Sequence, residues 1–128
     1  MNNDSRIVHS NRNYTSLLCY QKALVVYDLT YHFCERFLDK RDRTYDQMIQ
    51  AARSGKQNIV EGVVDLSTSF EMVIKLLNVS RGSLAELRRI IWIIFAPGDL
   101  GFGRMVQQRK KLCVALEFSI VIVHTSLR

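Results

Sequence analysis

The feature that most constrains the fold of this chain is an apolar stripe with helical periodicity that begins soon after Ser16. Its members are separated alternately by four and three residues, which places their side chains on one face of an α-helix. Charged residues fill the opposite side, so this segment predicts an amphipathic first helix of about seven turns that ends near "DKRDR". The stripe consists of Tyr20, Leu24, Tyr27, Tyr31, Cys34 and Leu38, and it is widened by Ala23, Val26, Phe33 and Phe37.

Three further segments have helical patterns. The second helix is predicted to begin near Thr44 or Tyr45, the third to run from Phe70 towards Phe95, and the fourth to begin near Gly103. The second half of the fourth segment is rich in β-branched residues, so a strand is a local alternative there. With three long helices already predicted and no partner strand in view, tertiary context favours a helix.

The linkers between these segments are short, and short linkers join helices that run antiparallel to each other. The predicted fold class is therefore all-α, an up-down-up-down antiparallel four-helix bundle. We expect the bundle domain to span residues 15–128 and a flexible polar N-terminal tail to occupy residues 1–14.

Charge and cysteine usage narrow the class of protein. The chain has 18 Lys and Arg against 12 Asp and Glu, a net charge of +6 over 128 residues. Such a balance favours contact with polyanions, although a solvated basic surface gives the same count. Three widely spaced cysteines suggest free thiols in a reducing compartment. The apolar runs are shorter than the roughly 20 residues that span a bilayer, so a cytoplasmic location and no membrane association are expected.

The Gly-Lys pair at Gly55 and Lys56 raises the question of a phosphate-binding loop. A Walker loop needs a glycine five residues before the pair and Ser or Thr directly after it. The chain has Gln50 and Gln57 at those positions, and the preceding "TYDQMIQAAR" is typical of a helix rather than a strand. The pattern therefore argues against a nucleotide-binding enzyme and places both glycines of this region inside the second helix.

Glycine inside a helix costs about 1 kcal/mol relative to alanine, so its presence calls for a compensating gain. Close approach of two helices is one such gain. We predict a helix-packing seam in which Ala51, Gly55 and Gly62 of the second helix meet Gly82 and Ser83 of the third helix.

Polar residues follow the same region, and two interpretations stay open. They form either a buried hydrogen-bonded network that fixes helix register or a solvent-exposed groove. Glu61 and Glu86 lack the Glu-x-x-His pattern of di-iron bundles, so no metal site is predicted. The histidines have no recognisable nucleophile or carboxylate beside them, so no catalytic residue and no cofactor is predicted. The predicted polar network consists of Gln47, Ser54, Asn58, Glu61 and Glu86, with Ser83 opposite.

Two stretches, residues 46–62 ("DQMIQAARSGKQNIVEG") and 76–91 ("LLNVSRGSLAELRRII"), resemble the four-helix bundle protein family, also called 23S rRNA intervening-sequence proteins. The resemblance covers roughly residues 17–95, and the paired N-I-x-E-G and G-S-L-x-E-L signatures carry it. Gly55, Lys56 and Gln57 depart from the family's usual Ile-Pro-containing stretch. The matching positions are Gln47, Ala51, Ser54, Asn58, Ile59, Glu61, Gly62, Gly82, Ser83, Leu84, Glu86 and Leu87.

This resemblance implies an up-down bundle, a ring-like homo-oligomer that is often a pentamer, and no enzymatic activity. It also implies similarity to the accessory variability determinant of diversity-generating retroelements, which binds nucleic acid and a reverse transcriptase. The residues favour oligomerisation independently, because apolar side chains lie outside the first stripe and "IIWIIF" is apolar all round. The expected oligomer interface contains Leu18, Val25, Leu29 and Trp92.

Two functions from different classes follow. The first is a non-catalytic accessory protein that binds RNA or DNA through basic surfaces, mainly of helices three and four. The second is a protein–protein interaction scaffold whose basic residues serve solubility. No basic stretch is interleaved with exposed aromatic residues as in a dedicated nucleic-acid reader. The predicted nucleic-acid contacts are Arg53, Lys56, Arg81, Arg88, Arg89, Arg104, Arg109, Lys110 and Lys111.

Overall fold

The computed structural model describes residues 14–64, 69–94, 110–118 and 120–121. A 3-10 turn at Tyr14–Ser16 precedes helix α1, which spans Leu18–Phe37. Helix α2 spans Arg43–Val64 and helix α3 spans Phe70–Ile94. Residues 110–118 and 120–121 are also helical and are called α4 below. All regular elements in the described ranges are helical, and the predicted all-α four-helix bundle is confirmed.

Contacts between the helices establish the antiparallel order. Gly55 lies against Leu84, whereas the later residue Gly62 lies against the earlier residue Val73, so α2 and α3 run in opposite directions. Lys22, near the start of α1, lies over the ring of Phe118, near the end of α4. Helix α1 therefore contacts both α2 and α4.

Helix α1 is shorter than predicted. It ends at Phe37, and Leu38 adopts an extended conformation while its N–H bonds to the Cys34 carbonyl at 3.0 Å. The aspartates of the linker explain the stop, because short carboxylate side chains bond to nearby backbone amides and compete with helix. Asp42 Oδ1 accepts the Thr44 N–H at 2.8 Å and so caps the start of α2.

The face of α1 that enters the core is also rotated from the predicted stripe. Tyr31 is 43% exposed, and Leu24 and Tyr27 are only partly buried. Small side chains lie at the closest helix contacts, and tyrosines fit better at the margin, where the hydroxyl reaches water. The buried residues of α1 are Cys19, Ala23, Val26, Thr30, Phe33 and Cys34.

All four helices contribute to the main core, and a smaller cluster lies beside the ends of α1, α2 and α3. Ala51 and Ala52 bring α2 close to its neighbours, and both are buried. None of the described helices is long and apolar enough to cross a membrane. The main cluster comprises Val26, Phe33, Cys34, Met48, Ala51, Ala52, Leu84, Leu87, Ile91, Leu112 and Leu116.

Parts of several predictions lie outside the described residues. These are the greater part of the N-terminal tail, the end of the third helix at Phe95, and the start of the fourth helix at Gly103. Tyr14, assigned to the tail, instead opens the 3-10 turn, and its ring packs edge-on against Tyr20 with centroids 5.0 Å apart.

Candidate interaction surfaces

Of the three described glycines, Gly55 of α2 lies closest to a neighbouring helix. A Cβ atom added there would lie 2.7 Å from Leu84 Cδ2 and 2.8 Å from Leu84 Cγ, closer than side-chain atoms pack. Ser80 Oγ donates a hydrogen bond to the Gly55 carbonyl at 2.6 Å, and Ser80 is fully buried. The backbone of α2 therefore approaches α3 closely at this point because residue 55 has no side chain.

The other two glycines of the predicted seam differ from Gly55. A Cβ atom at Gly62 would lie 3.6 Å from Leu76 Cβ, an ordinary contact distance. At Gly82 it would meet nothing within 4 Å, and the residue is exposed. The prediction that Gly82 faces α2 is therefore wrong: Ser80 and Leu84 face Gly55, and Val73 and Leu76 face Gly62.

The signal for this register was present in the sequence. Residues 73, 77, 80, 84, 87 and 91 recur at spacings of four and three, and all of them are buried. Gly82 falls off this stripe, whereas Ser80 lies on it. A serine on an otherwise aliphatic stripe marks a place where a hydroxyl has a partner, here the Gly55 carbonyl.

Three side chains of the predicted polar network form hydrogen bonds with one another or with the adjacent backbone, and all three are half-buried. The hydroxyls of Ser54 and Ser83 are 3.0 Å apart and join α2 to α3. Asn58 Nδ2 donates to the Ser54 carbonyl at 2.8 Å and lies 3.1 Å from the Ser54 hydroxyl. The remaining predicted members, Gln47, Glu61 and Glu86, are exposed and take no part in these bonds. Of the two interpretations, a partly buried network holds for Ser54, Asn58 and Ser83, and solvent exposure holds for the other three.

A groove of about 440 Å³ with a mixed polar and apolar lining borders this network along α2. Arg53 is exposed at this groove. Amide, hydroxyl, guanidinium and carboxylate groups all line it, so it presents hydrogen-bonding groups of both charges. Its lining residues are Asp46, Ile49, Gln50, Arg53, Ser54, Gln57 and Asn58.

The predicted nucleic-acid contacts are distributed over several faces. Arg53, Arg89, Lys110 and Lys111 are exposed, and Arg81 and Arg88 are half-buried. Lys56 differs from the rest, because its Nζ lies 4.3 Å from the centroid of the Tyr27 ring on α1, a cation–π contact between helices. Arg104 and Arg109 lie outside the described residues.

Ion pairing distinguishes these cations from three others in the described part of the chain. Among the described residues, ion pairs join Lys40 to Glu35, Arg41 to Asp39 and Lys75 to Glu71. None of the described cations predicted to contact nucleic acid takes part in such a pair. Their charge is therefore not neutralised by a neighbouring carboxylate within the described part of the chain.

A second groove, which sequence reasoning did not anticipate, lies between α1 and α4 and is called the α1–α4 groove. It has a volume of about 580 Å³ and a mainly apolar lining. Lys22 Nζ lies 5.3 Å from the centroid of the Phe118 ring at one end. The lining residues are Lys22, Val25, Leu29, Lys110, Lys111, Val114, Ala115 and Phe118.

The predicted oligomer-interface residues fall on different surfaces. Val25, 47% exposed, and half-buried Leu29 both line the α1–α4 groove. Leu18 is 52% exposed near the start of α1, and Trp92 is 52% exposed near the end of α3. The exposed apolar surface of α3 extends well beyond Trp92. It comprises Phe70, Met72, Val79, Trp92 and Ile93.

Titratable groups cluster where α1 turns into α2. The Tyr45 hydroxyl donates a hydrogen bond to Glu35, and Lys40 Nζ lies 3.1 Å from the same carboxylate. The hydrogen bond from Tyr45, followed by that from Lys40, lowers the pKa of Glu35, and the bond to Glu35 raises the pKa of Tyr45 to about 12. These contacts tie the α1–α2 turn together. A shallow cavity of about 450 Å³ beside them is lined by His32, Glu35, Arg36 and Phe37.

Neither the cysteines nor the acidic groups of the described residues form a metal centre: no three His, Cys, Asp or Glu side chains lie close enough to share an ion there.

Cys34 is fully buried, and its sulfur lies 4.0 Å from Met48 Sδ. Burial, with a smaller contribution from the charge of Glu35, raises the pKa of Cys34 to about 12. A thiol held in this neutral form is a poor nucleophile.

Comparison with known proteins adds no relative: no family model and no curated protein matches this chain. Membership of the four-helix bundle protein family therefore remains a prediction from the two quoted stretches.

Proposed function

We propose that this chain is a non-catalytic, homo-oligomeric helical-bundle protein that binds RNA or DNA through unpaired basic side chains of α2, α3 and α4. One observation carries the proposal. Among the described residues, the cations paired with carboxylates are Lys40, Arg41 and Lys75, whereas those predicted to contact nucleic acid form no ion pair, and Lys56 alone of these stacks on an aromatic ring.

Binding to nucleic acid depends on the charge of these side chains. A lysine or arginine that already faces a carboxylate gains little from a phosphate, because the local charge is neutralised. An unpaired cation attracts phosphate and releases condensed counterions, which is the main source of sequence-independent affinity for nucleic acid. The net charge of +6 gives this attraction the correct sign. Assembly into a symmetric oligomer multiplies the positive surface on one particle.

Self-association belongs to the same proposal and is supported by the exposed side chains of α3. Ile93 is 75% exposed and Val79 is 52% exposed, and apolar side chains gathered on one helix favour burial against a second surface. The family resemblance implies a ring, often a pentamer, and a reverse transcriptase as one protein partner. Light scattering coupled to size exclusion measures the subunit number, and a monomer at every concentration contradicts self-association.

The nucleic-acid proposal is tested by the salt dependence of binding to labelled RNA and DNA oligonucleotides. The wild-type protein is expected to show a slope of several units in log K against log salt. The double variant Lys110→Gln/Lys111→Gln is expected to reduce this slope by about one to two units, because each lost phosphate contact removes about one unit.

A matched control is the double variant Lys40→Gln/Lys75→Gln, which removes the same charge from two ion-paired positions. This control is expected to leave the slope nearly unchanged. Absence of binding at low salt, or equal effects of the two double variants, contradicts the proposal.

The second candidate function, a protein–protein interaction scaffold, is favoured by a separate observation. Val114 is 66% exposed and Phe118 is 56% exposed on α4, where they border a groove rather than standing alone on the surface. Grooves between helices commonly accept a helix from another protein. If nucleic-acid binding is absent while a protein ligand is bound, this candidate replaces the first.

A further inference from the structure

The α1–α4 groove combines an apolar floor with charged ends. Val25, Val114 and Phe118 are each about half exposed or more, although the helices that carry them also supply Val26, Leu112 and Leu116 to the buried core. When a ligand covers the apolar side chains on both walls of the groove, their removal from water favours binding in proportion to the area covered.

Among the described residues, the charged groups that line this groove are Lys22, Lys110 and Lys111, and all three are positive. Lys22 lies over the Phe118 ring. Because α1 and α4 of the bundle run antiparallel, Lys110 and Lys111, about two turns before Phe118, lie towards the Leu29 end of the groove. None of these lysines pairs with an acidic side chain in the described part of the chain. Two turns of α1 separate Lys22 from Leu29, so the positive ends are about 10 Å apart at 1.5 Å per residue.

We infer that the α1–α4 groove binds an amphipathic helix of a partner protein, with an apolar face between two carboxylates about seven residues apart. The furrow between two antiparallel helices fits the ridge of a third helix. Aliphatic side chains at the third and fourth positions between the carboxylates meet the apolar floor, as in other helix-in-groove complexes. Each carboxylate then lies beside a lysine that lacks an anionic partner.

The described helices of this chain do not supply such a ligand, which favours a different protein as the partner. Asp28 and Glu35 are the one pair of carboxylates that lie seven residues apart within a described helix. Glu35 already accepts the Tyr45 hydroxyl and pairs with Lys40. Tyr31 and His32, rather than aliphatic residues, lie at the third and fourth positions between them.

The inference does not depend on nucleic-acid binding, although Lys110 and Lys111 enter both. The experiment measures fluorescence anisotropy of a labelled, end-blocked helical peptide of about 16 residues, long enough to be partly helical in isolation. The peptide carries two glutamates seven residues apart, with leucine at the third and fourth positions between them. A control peptide has lysines in place of the two glutamates.

We expect saturable binding of the glutamate peptide and no binding of the lysine peptide. Val114→Asp is expected to weaken binding at least about tenfold, because it places a charge on the apolar floor and repels the ligand's carboxylates. Val64→Asp makes the same change at an exposed site at the end of α2, outside the groove and outside the exposed apolar surface of α3, and is expected to alter affinity by less than about twofold. Lys111→Glu is a second groove variant, at an exposed position, and is also expected to weaken binding.

A nucleic-acid titration of the wild-type protein distinguishes this inference from the proposed function, since oligonucleotide binding and peptide binding are measured separately and either can be absent while the other is observed. The inference is overturned if the wild-type protein binds neither peptide, if it binds both equally, or if the two aspartate variants weaken peptide binding to the same extent. It is also overturned if Val114→Asp dissociates a homo-oligomer that excludes the peptide, because a second copy then occupies the groove.

Discussion

The α2–α3 interface and the α1–α4 groove are formed by helices of the same amphipathic kind, yet one is closed and the other is open. At the first, Gly55 lets the two backbones approach, and the Ser80 hydroxyl bonds to its carbonyl. At the second, Val25 and Phe118 stay substantially exposed around a space of about 580 Å³. The difference follows from side-chain size and polarity at the contact positions.

This contrast separates two uses of a helix surface. Gly55 serves the chain's own packing, because the Cβ of any larger residue would overlap the buried Leu84 side chain. Apolar side chains that remain in water beside unpaired lysines contribute little to the stability of the monomer. Substitutions on the two surfaces should therefore separate cleanly, with effects on folding at the first and effects on binding at the second.

The largest effect on stability is expected at Gly55. Its absence would contradict the close packing of the α2–α3 interface. Gly55→Ala places a methyl group within 2.8 Å of both Cγ and Cδ2 of fully buried Leu84, so a rotation of one methyl group does not relieve the clash. Overpacking outweighs the helix-propensity gain of about 1 kcal/mol, and the net loss of unfolding free energy is expected to be about 1–2 kcal/mol. Urea denaturation followed by circular dichroism measures it.

Gly62→Ala is the matched control on the same helix, because its new Cβ lies at an ordinary contact distance from Leu76. Equal stabilisation by both substitutions would mean that the close approach at Gly55 is absent.

The hydroxyl at Ser80 is expected to have the next largest effect. Ser80→Ala removes the bond to the Gly55 carbonyl in a fully buried position and should lower the unfolding free energy by about 1 kcal/mol. Ser83→Ala, which loses a half-buried contact with Ser54, should cost less. The same denaturation experiment compares the two, and a larger loss at Ser83 would place the dominant polar contact elsewhere on the interface.

The opposite sign is expected at Gly82. Because nothing lies within 4 Å of the added methyl group, Gly82→Ala should stabilise the monomer by up to about 1 kcal/mol through helix propensity alone. Thermal unfolding at low protein concentration measures this gain. A loss of stability, or a loss of oligomer with a monomer of normal stability, would assign this exposed glycine to a contact between chains.

The smallest effect concerns the α1–α2 turn and extends the comparison to a third, polar contact. The pKa of Glu35 is lowered in the folded state, chiefly by the Tyr45 hydrogen bond, so its contribution to stability is present at neutral pH and is lost as the pH falls below about 4. Tyr45→Phe should lower the unfolding free energy slightly near pH 7, and the difference from the wild type should disappear in acid, where Glu35 is protonated in both proteins. Denaturation curves across the acid range measure it, and an unchanged acid dependence in Tyr45→Phe would contradict the assignment.

The sequence was sufficient for the fold class and for most helix positions, because three- and four-residue periodicity persists through each segment. It was not sufficient for the rotation of α1, since the tyrosines and the true core residues lie on adjacent stripes and both contain large apolar groups. Gly82 was misplaced for a similar reason: composition marks a small residue, but only the stripe through Ser80 and Leu84 shows which side faces α2.

The α1–α4 groove was beyond sequence reasoning because its two walls are separated by about ninety residues of chain, and no local pattern indicates how far apart two helices lie. Charge pairing could not be predicted from the sequence either. Residue counts give the excess of lysine and arginine, whereas the pairing of Lys40 and Lys75, and the stacking of Lys56 on Tyr27, depend on tertiary neighbours.

The burial of Cys34 against Met48 gives this chain an intrinsic reporter of its own opening. A thiol-modifying reagent reaches that sulfur only when α1 and α2 separate, since the side chain is fully buried and its pKa of about 12 leaves almost no thiolate to react. The rate at which Cys34 is labelled therefore measures how often the first helical hairpin opens, and no cysteine has to be introduced for the experiment.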